Sequence, residues 1–280
     1  MNVATYAAAQ LLRVLPRASI TRAVGRLVDA ELHPAISSAV VGLYARAYRV
    51  DMDEAAPQAG AFSSFDAFFT RALREGARPP CSSPDAFTSP ADGRVEAIGP
   101  VERGGQLLVK GKPYTCADLV GDVEDARRYE GGQFAVVYLS PRDYHRVHAP
   151  VEGTIRSIRS MPGDYFPVNS IGERHIPQLF ARNRRVAILI DTEKHGRVTV
   201  VMVSAMIVGR VSVTGIDARD VPIGEHTLEP SLRVQRGDEI GIFRLGSTAV
   251  VFVEPGAWPS FTLPLGSVRV GQSFCPDGAR

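Results

Sequence analysis

Residues 242–256 read IFRLGSTAVVFVEPG. Ile242 and Phe243 on one side, and Ala249 to Val253 on the other, are apolar and rich in β-branched or aromatic side chains, the pattern of one buried strand. Gly246 interrupts it. Glycine weakens a strand interior and usually marks a bulge or a close backbone approach, so Gly246-Ser247-Thr248 reads either as a kink or as a peptide bond built to be attacked.

Working outward, short β-rich runs separated by Gly, Pro and Asp recur from about residue 88: GRVEAIG (93–99), QLLVKG (106–111), QFAVVYLS (133–140), RVAILIDT (185–192) and RVTVVMVSAMIVG (197–209). The segment between Asp191 and Arg197 has the length of a hairpin loop. So many short strands without a regular repeat predict an α+β protein with a mainly antiparallel, sandwich or barrel-like core. Upstream, SFDAFFTRALREGARPP (64–80) predicts a short amphipathic helix that stops at Gly76 and Pro79.

The first part of the chain differs in character. Ser19 is placed to cap a helix with Ile20, Val24, Leu27, Val28 and Leu32 on one face and Arg22, Arg26 and Asp29 opposite. A second helix after Pro34 carries Ile36, Val40, Leu43, Tyr44 and Ala47 at helical spacing. Through Val50 there are six arginines against one Asp and one Glu, so the segment is basic and amphipathic. It suits either packing on the main domain or lying in a bilayer interface. The acidic linker DMDEAAPQAGAF (51–62) suggests helical residues 1–61 followed by a β-rich unit, 62–280. Arg13 and Arg17 interrupt the apolar run that a signal peptide would need, and no window reaches the roughly 18 apolar residues of a spanning helix.

Composition narrows the function classes. A net charge of +2 is too small to point to nucleic acid. Cys81, Cys116 and Cys275 are odd in number and form no C-x-x-C pair, which argues against a disulfide framework or a zinc site and for a reducing compartment. No glycine-rich nucleotide-binding loop occurs.

Two further stretches carry chemistry. YLSPRDYHRVHAPVEG (138–153) sets His145 and His148 three apart; on an extended segment such residues face opposite sides, so a proton-transfer role is favoured over metal binding. SPADGRV (89–95) holds Asp92 before Gly93, a turn signal unless the carboxylate orients a histidine. An aspartate holding an imidazole that draws a proton from a serine is the general way to activate a weak nucleophile, and Ser247 is the candidate serine. Its surroundings continue into strand, unlike the strand-to-helix elbow of serine hydrolases. The carbonyl of Gly246 itself is then the accessible target.

Together FDAFFTRALREGARP, SPADGRV, KGKPYTCADLVG, YLSPRDYHRVHAPVEG, VNSIGERHIPQLFARNRRVAI and GDEIGIFRLGSTAVVFV resemble the phosphatidylserine decarboxylase family, in its order and over most of 62–255. Residues 203–234 fit more loosely. The resemblance implies that Asp92, His148 and Ser247 form a self-cleavage triad cutting between Gly246 and Ser247. That would leave a large chain 1–246 and a small chain 247–280, paired as a heterodimer, with any higher oligomer left open. Ser247 would become a covalent pyruvoyl group, which forms a Schiff base with phosphatidylserine and yields phosphatidylethanolamine and CO2, with no metal. His145 would handle a proton during decarboxylation. The N-terminal helices would then contact anionic lipid on the cytoplasmic face of a bacterial inner membrane. Two alternatives stay open: a pyruvoyl enzyme acting on a soluble amino acid, and a non-catalytic carrier or binding module with a phospho-accepting histidine.

Overall fold

A computed structural model describes residues 15–168, 170–206, 209–245 and 247–275, without the side chains of Ser170, Ile171 and Ser247. The chain opens with helices α1 (Arg17–Asp29), α2 (Pro34–Tyr48) and the short α3 (Phe65–Phe69). The β-rich body follows: β1 (Gly93–Pro100), β2 (Gln106–Val109), β3 (Lys112–Thr115), α4 (Cys116–Val120), α5 (Val123–Arg127), β4 (Gln133–Leu139), β5 (Arg146–His148) and β6 (Gly153–Met161). Next come α6 (Ser170–His175), α7 (Leu179–Arg182), β7 (Arg185–Asp191), β8 (Arg197–Val203), β9 (Arg210–Val213), β10 (Gly224–Val234), β11 (Glu239–Arg244), β12 (Ser247–Val253) and β13 (Gly266–Val268).

Among the described residues the strands form an eight-stranded sheet in the order β10-β6-β7-β8-β12-β4-β1-β13, a three-stranded sheet β5-β11-β9, and the hairpin β2-β3. Every named pair is antiparallel. This is the expected α+β, antiparallel sandwich, open at β10 and β13 rather than closed into a barrel. The Asp191–Arg197 hairpin is also as expected, since these two residues pair at its mouth.

The central strands read as near-continuous apolar runs because both faces of the large sheet are covered. On one face Val137, Ile188, Val200, Ala249 and Val251 pack with Val147, Val211, Ile240 and Phe243 of the small sheet. On the other, Val136, Leu189, Val201, Val250 and Phe252 pack with Leu107, Leu119 and Phe180 from the hairpin and helices.

Three expectations are corrected. The helix expected to stop at Gly76 and Pro79 ends already at Phe69, because residues 72–74 run extended and bond the backbone of residues 54–56 instead. Residues 242–253 are not one strand: β11 belongs to the small sheet and β12 to the large one. The run breaks where Arg244 turns outward to Asp66 and Leu245 takes a left-handed φ of 95°, which no regular strand accommodates. Nor does Ser19 cap the first helix, which begins two residues earlier behind Pro16, and Leu32 lies beyond its end.

The first helix packs small and polar residues against Gly209 and Arg210 at the start of β9, while α2 packs on α3. Thr21 and Gly25 are buried, Arg17 bonds Asp164 at 2.7 Å, and Asp29 pairs with Arg210 and Arg219. Apolar side chains point away instead: Leu27 and Leu43 are each 72% exposed and Ile36 is 55% exposed. No described helix is long and apolar enough to cross a membrane.

Candidate active site

The sheet register gathers the candidate residues. β12 starts at Ser247, opposite Leu139 at the end of β4, and Thr248 pairs with Tyr138. Arg94 of β1 pairs with the same Tyr138, so Gly93, the first residue of β1, lies at that end of the sheet and Asp92 just beyond it. After Leu139 the chain enters the loop that carries the histidines. β5 then pairs with β11, and the Phe243 N–H donates to the His145 carbonyl at 2.9 Å. The strand leading into Gly246 is therefore stitched to the histidine segment. Gly246 and the Ser247 side chain lie outside the described residues.

His148 has a defined tautomer. Its Nδ1 lies 2.6 Å from the Gly237 carbonyl, which can only accept, so Nδ1 carries the proton. Nε2 is left with a lone pair, and the Tyr144 hydroxyl donates to it at 3.1 Å. Burial lowers the pKa of His148 below the usual histidine range, against smaller opposing effects of Gly237, Glu239 and Asp92. Burial likewise raises the Tyr144 phenol, which remains a donor.

Asp92 shares no hydrogen bond with His148. Its carboxylate takes the Arg78 Nε–H at 2.9 Å and the Val270 N–H at 2.8 Å, while Arg78 also bonds Glu54 at 2.8 Å. Asp92 thus acts on the imidazole through space, and the Gly237 carbonyl orients the ring. Tyr144, Arg78 and Gly237 fall within the family-like motifs with no role assigned, and only Tyr144, four residues before His148, carries a local signal.

His145 is fully buried and stacks on Phe69 with ring centroids 4.0 Å apart. Neither ring nitrogen has a partner at hydrogen-bond geometry, although the Ser140 and Pro141 carbonyls approach. Burial, reinforced by the nearby Arg71 charge, pushes its pKa down to about 3. The imidazole is neutral, with one N–H and one lone pair buried among the Ser140 and Pro141 carbonyls, Phe69 and Arg71.

A cleft of about 390 Å³ opens beside this end of the sheet, lined among others by Gly93, Glu96, Lys110, Tyr138, Arg142 and Glu173. Lys110 bridges Glu96 and Glu173 at 2.7 Å each, whereas Arg94 and Arg142 are mostly exposed, with side-chain exposures of 63% and 62%. A larger cavity, about 530 Å³ around His195 and Trp258, includes none of the candidate residues. It borders the Asp191–Arg197 hairpin, at the opposite end of the sheet from Ser247.

A ketone built on residue 247 would need donors for its oxygens. The buried hydroxyls of Thr248 and Ser204 have no hydrogen-bond partner among the described residues, and Thr248 pairs across the sheet with Val203, next to Ser204. The residues present fit such a group.

A family model described as phosphatidylserine decarboxylase matches residues 65–275. The chain is similar to the "Phosphatidylserine decarboxylase proenzyme" of Marinobacter nauticus, 40% identical over 270 residues covering 93% of this chain and 94% of that one. Proteins of the same description from Shewanella halifaxensis (37% over 274 residues, 93% and 95% covered) and Azotobacter vinelandii (39% over 272 residues, 93% and 94% covered) are similarly related.

Proposed function

This chain belongs to the phosphatidylserine decarboxylase family, and from that premise we propose that it matures by cutting itself at Gly246–Ser247 and then decarboxylates phosphatidylserine. His148, neutral and with its lone pair at Nε2, takes the proton of the Ser247 hydroxyl as that oxygen attacks the Gly246 carbonyl. The peptide becomes an ester. Loss of the Cα proton of residue 247 expels the Gly246 carboxylate, and water hydrolyses the resulting enamine, releasing its nitrogen as ammonia and leaving residue 247 as a pyruvoyl group. Asp92, just before β1 and two residues from the Pro90 carbonyl that accepts from the His148 backbone N–H at 2.8 Å, favours the imidazolium that forms for an instant on His148.

The pyruvoyl group supplies a ketone that condenses with a primary amine and draws electrons from the carbon losing CO2. The Thr248 and Ser204 hydroxyls would hold its oxygens. His145, kept neutral by burial and Arg71, moves the proton that the product carbon needs. Arg94 and Arg142 attract the phosphate at the mouth of the cleft. General acid-base help of this kind is worth about 10²- to 10⁴-fold.

A bilayer substrate gives the exposed apolar residues of α1 and α2 a role. Among the described residues, five of the nine exposed large hydrophobic ones, Leu27, Ile36, Val40, Leu43 and Tyr48, lie on these helices. Tyr44 of α2 also donates to the Pro141 carbonyl beside the histidine loop at 3.2 Å. Laid on the cytoplasmic face of a membrane, that surface would set the cleft at headgroup level.

The observation that supports this reading best is the register linking Ser247, Leu139 and the histidine segment. Intact mass measurement tests it. Wild-type protein should appear as chains 1–246 and 247–280, the latter blocked at its N-terminus, and Ser247→Ala as one inactive chain. A single unmodified chain with full activity would refute it.

A further inference from the structure

Three arginines among the described residues are at least nine-tenths buried: Arg71 at 5% exposure, Arg184 at 4% and Arg185 at 9%. Two of them are well supplied. Arg184 bonds the Gly209 and Val221 carbonyls and the Asp220 carboxylate. Arg185 bonds the carbonyls of Leu119, Ala181 and Asn183. Arg71 is the exception. Among the described residues its Nε has no partner, and its one side-chain hydrogen bond is a long 3.5 Å contact from Nη2 to the Arg142 carbonyl. Asp92, Asp143 and Asp51 bear on it only through space.

A buried cation without a counter-ion is strongly unfavourable, and proteins retain one where a ligand completes it. The position of Arg71 indicates which ligand. Its guanidinium carbon sits 5.4 Å from the Phe68 ring centre, and the next aromatic, Phe69, stacks on His145. Arg142, whose carbonyl it touches, and Asp143 both line the cleft. Turning the fork toward the cleft gives up that long hydrogen bond and the contact with the Phe68 ring, but no ion pair.

We propose that Arg71 is an oxyanion subsite that receives a charged oxygen group of the lipid headgroup, either the serine carboxylate or the phosphodiester. This rests on the substrate reading above. A guanidinium fork suits either group, since both offer two oxygens in one plane to two parallel N–H donors.

The test uses the full chain carrying Ser247→Ala, which cannot turn substrate over, titrated calorimetrically with glycerophosphoserine and glycerophosphoethanolamine. Adding Arg71→Met should weaken glycerophosphoserine at least tenfold. Loss for both ligands identifies the phosphodiester as the group held, and loss for glycerophosphoserine alone identifies the carboxylate. Arg71→Lys, which keeps the charge without the fork, should fall between. Unchanged affinity for both ligands, or no binding by the parent chain, overturns the proposal.

A second readout separates ligand binding from a structural role. Replacing an unpaired buried charge by an apolar side chain of similar length is neutral or stabilising. Ligand-free Arg71→Met should therefore melt at or above the parent temperature, and a drop of several degrees would also overturn the proposal. Failure of the wider reading would show separately, as a wild-type chain that never cleaves.

Discussion

The Tyr144 hydroxyl donates to Nε2 of His148 at 3.1 Å, occupying the lone pair that self-cleavage requires. That hydrogen bond must break before His148 can take a proton from Ser247, and a typical one is worth about 0.5–1.5 kcal/mol net. Tyr144→Phe keeps the ring and removes the donor. Processing should speed up by roughly two- to tenfold, followed as conversion of precursor to two chains on a denaturing gel. Slower processing would make Tyr144 a participant rather than a competitor.

Asp92 and Arg78 form a pair whose side chains are each only 10% exposed. Asp92→Asn should leave the Val270 N–H an acceptor but take from Arg78 one of its two carboxylate partners, Glu54 remaining, at a cost of about 1.5–3 kcal/mol. Thermal melts of Asp92→Asn, Arg78→Met and the double mutant should show a coupling of at least about 2 kcal/mol, with the double mutant more stable than Asp92→Asn alone.

His145 titrates near 6.5 when unfolded and near 3 in the folded chain. Between those values the unfolded state holds the extra proton, so this residue's contribution is complete above 6.5 and is lost as pH falls toward 3. The slope approaches about 1.4 kcal/mol per pH unit. Buried carboxylates add their own acid lability, so the difference between variants is the measure. The melting temperature of His145→Gln should fall less between pH 7 and pH 4 than that of wild type.

Gly93 has φ 153°, and a Cβ there would lie 2.2 Å from the Tyr138 carbonyl oxygen. Backbone cannot yield as a side chain would. Gly93→Ala should push β1 off β4 at the end of the sheet that faces Ser247, lowering the melting temperature and slowing processing more than tenfold, both measured on the same preparation.

Leu27 and Leu43 make little contact with the rest of the chain. Changing both to Asp should leave the melting temperature within about a degree and self-cleavage unchanged. Burying a leucine contributes about 1.5–3 kcal/mol, so sedimentation with anionic vesicles should weaken at least tenfold. Unaltered vesicle binding would remove these helices from the membrane contact.

Much of this was legible in the sequence because it is local. Short β-rich runs, the Asp191–Arg197 hairpin and the amphipathic N-terminal helices follow from residue types and spacing within a few residues. The quoted motifs carried the family resemblance because each is a contiguous stretch. What misled was a local signal too: 242–253 has the composition of a single strand, and composition alone does not report the left-handed turn at Leu245 that sends the two halves into different sheets.

The sequence by itself determined an antiparallel α+β body, its family, and Asp92, His145, His148 and Ser247 as the residues to examine. Only the tertiary structure decided who touches whom: that Gly237, 89 residues away in the chain, orients His148, that Asp92 is engaged by Arg78, and that Arg71 is buried without a counter-ion. Hydrogen bonds and ion pairs form between groups brought together by sheet register and layer packing. Those long-range geometries are fixed by the whole core at once, so no window of sequence encodes them.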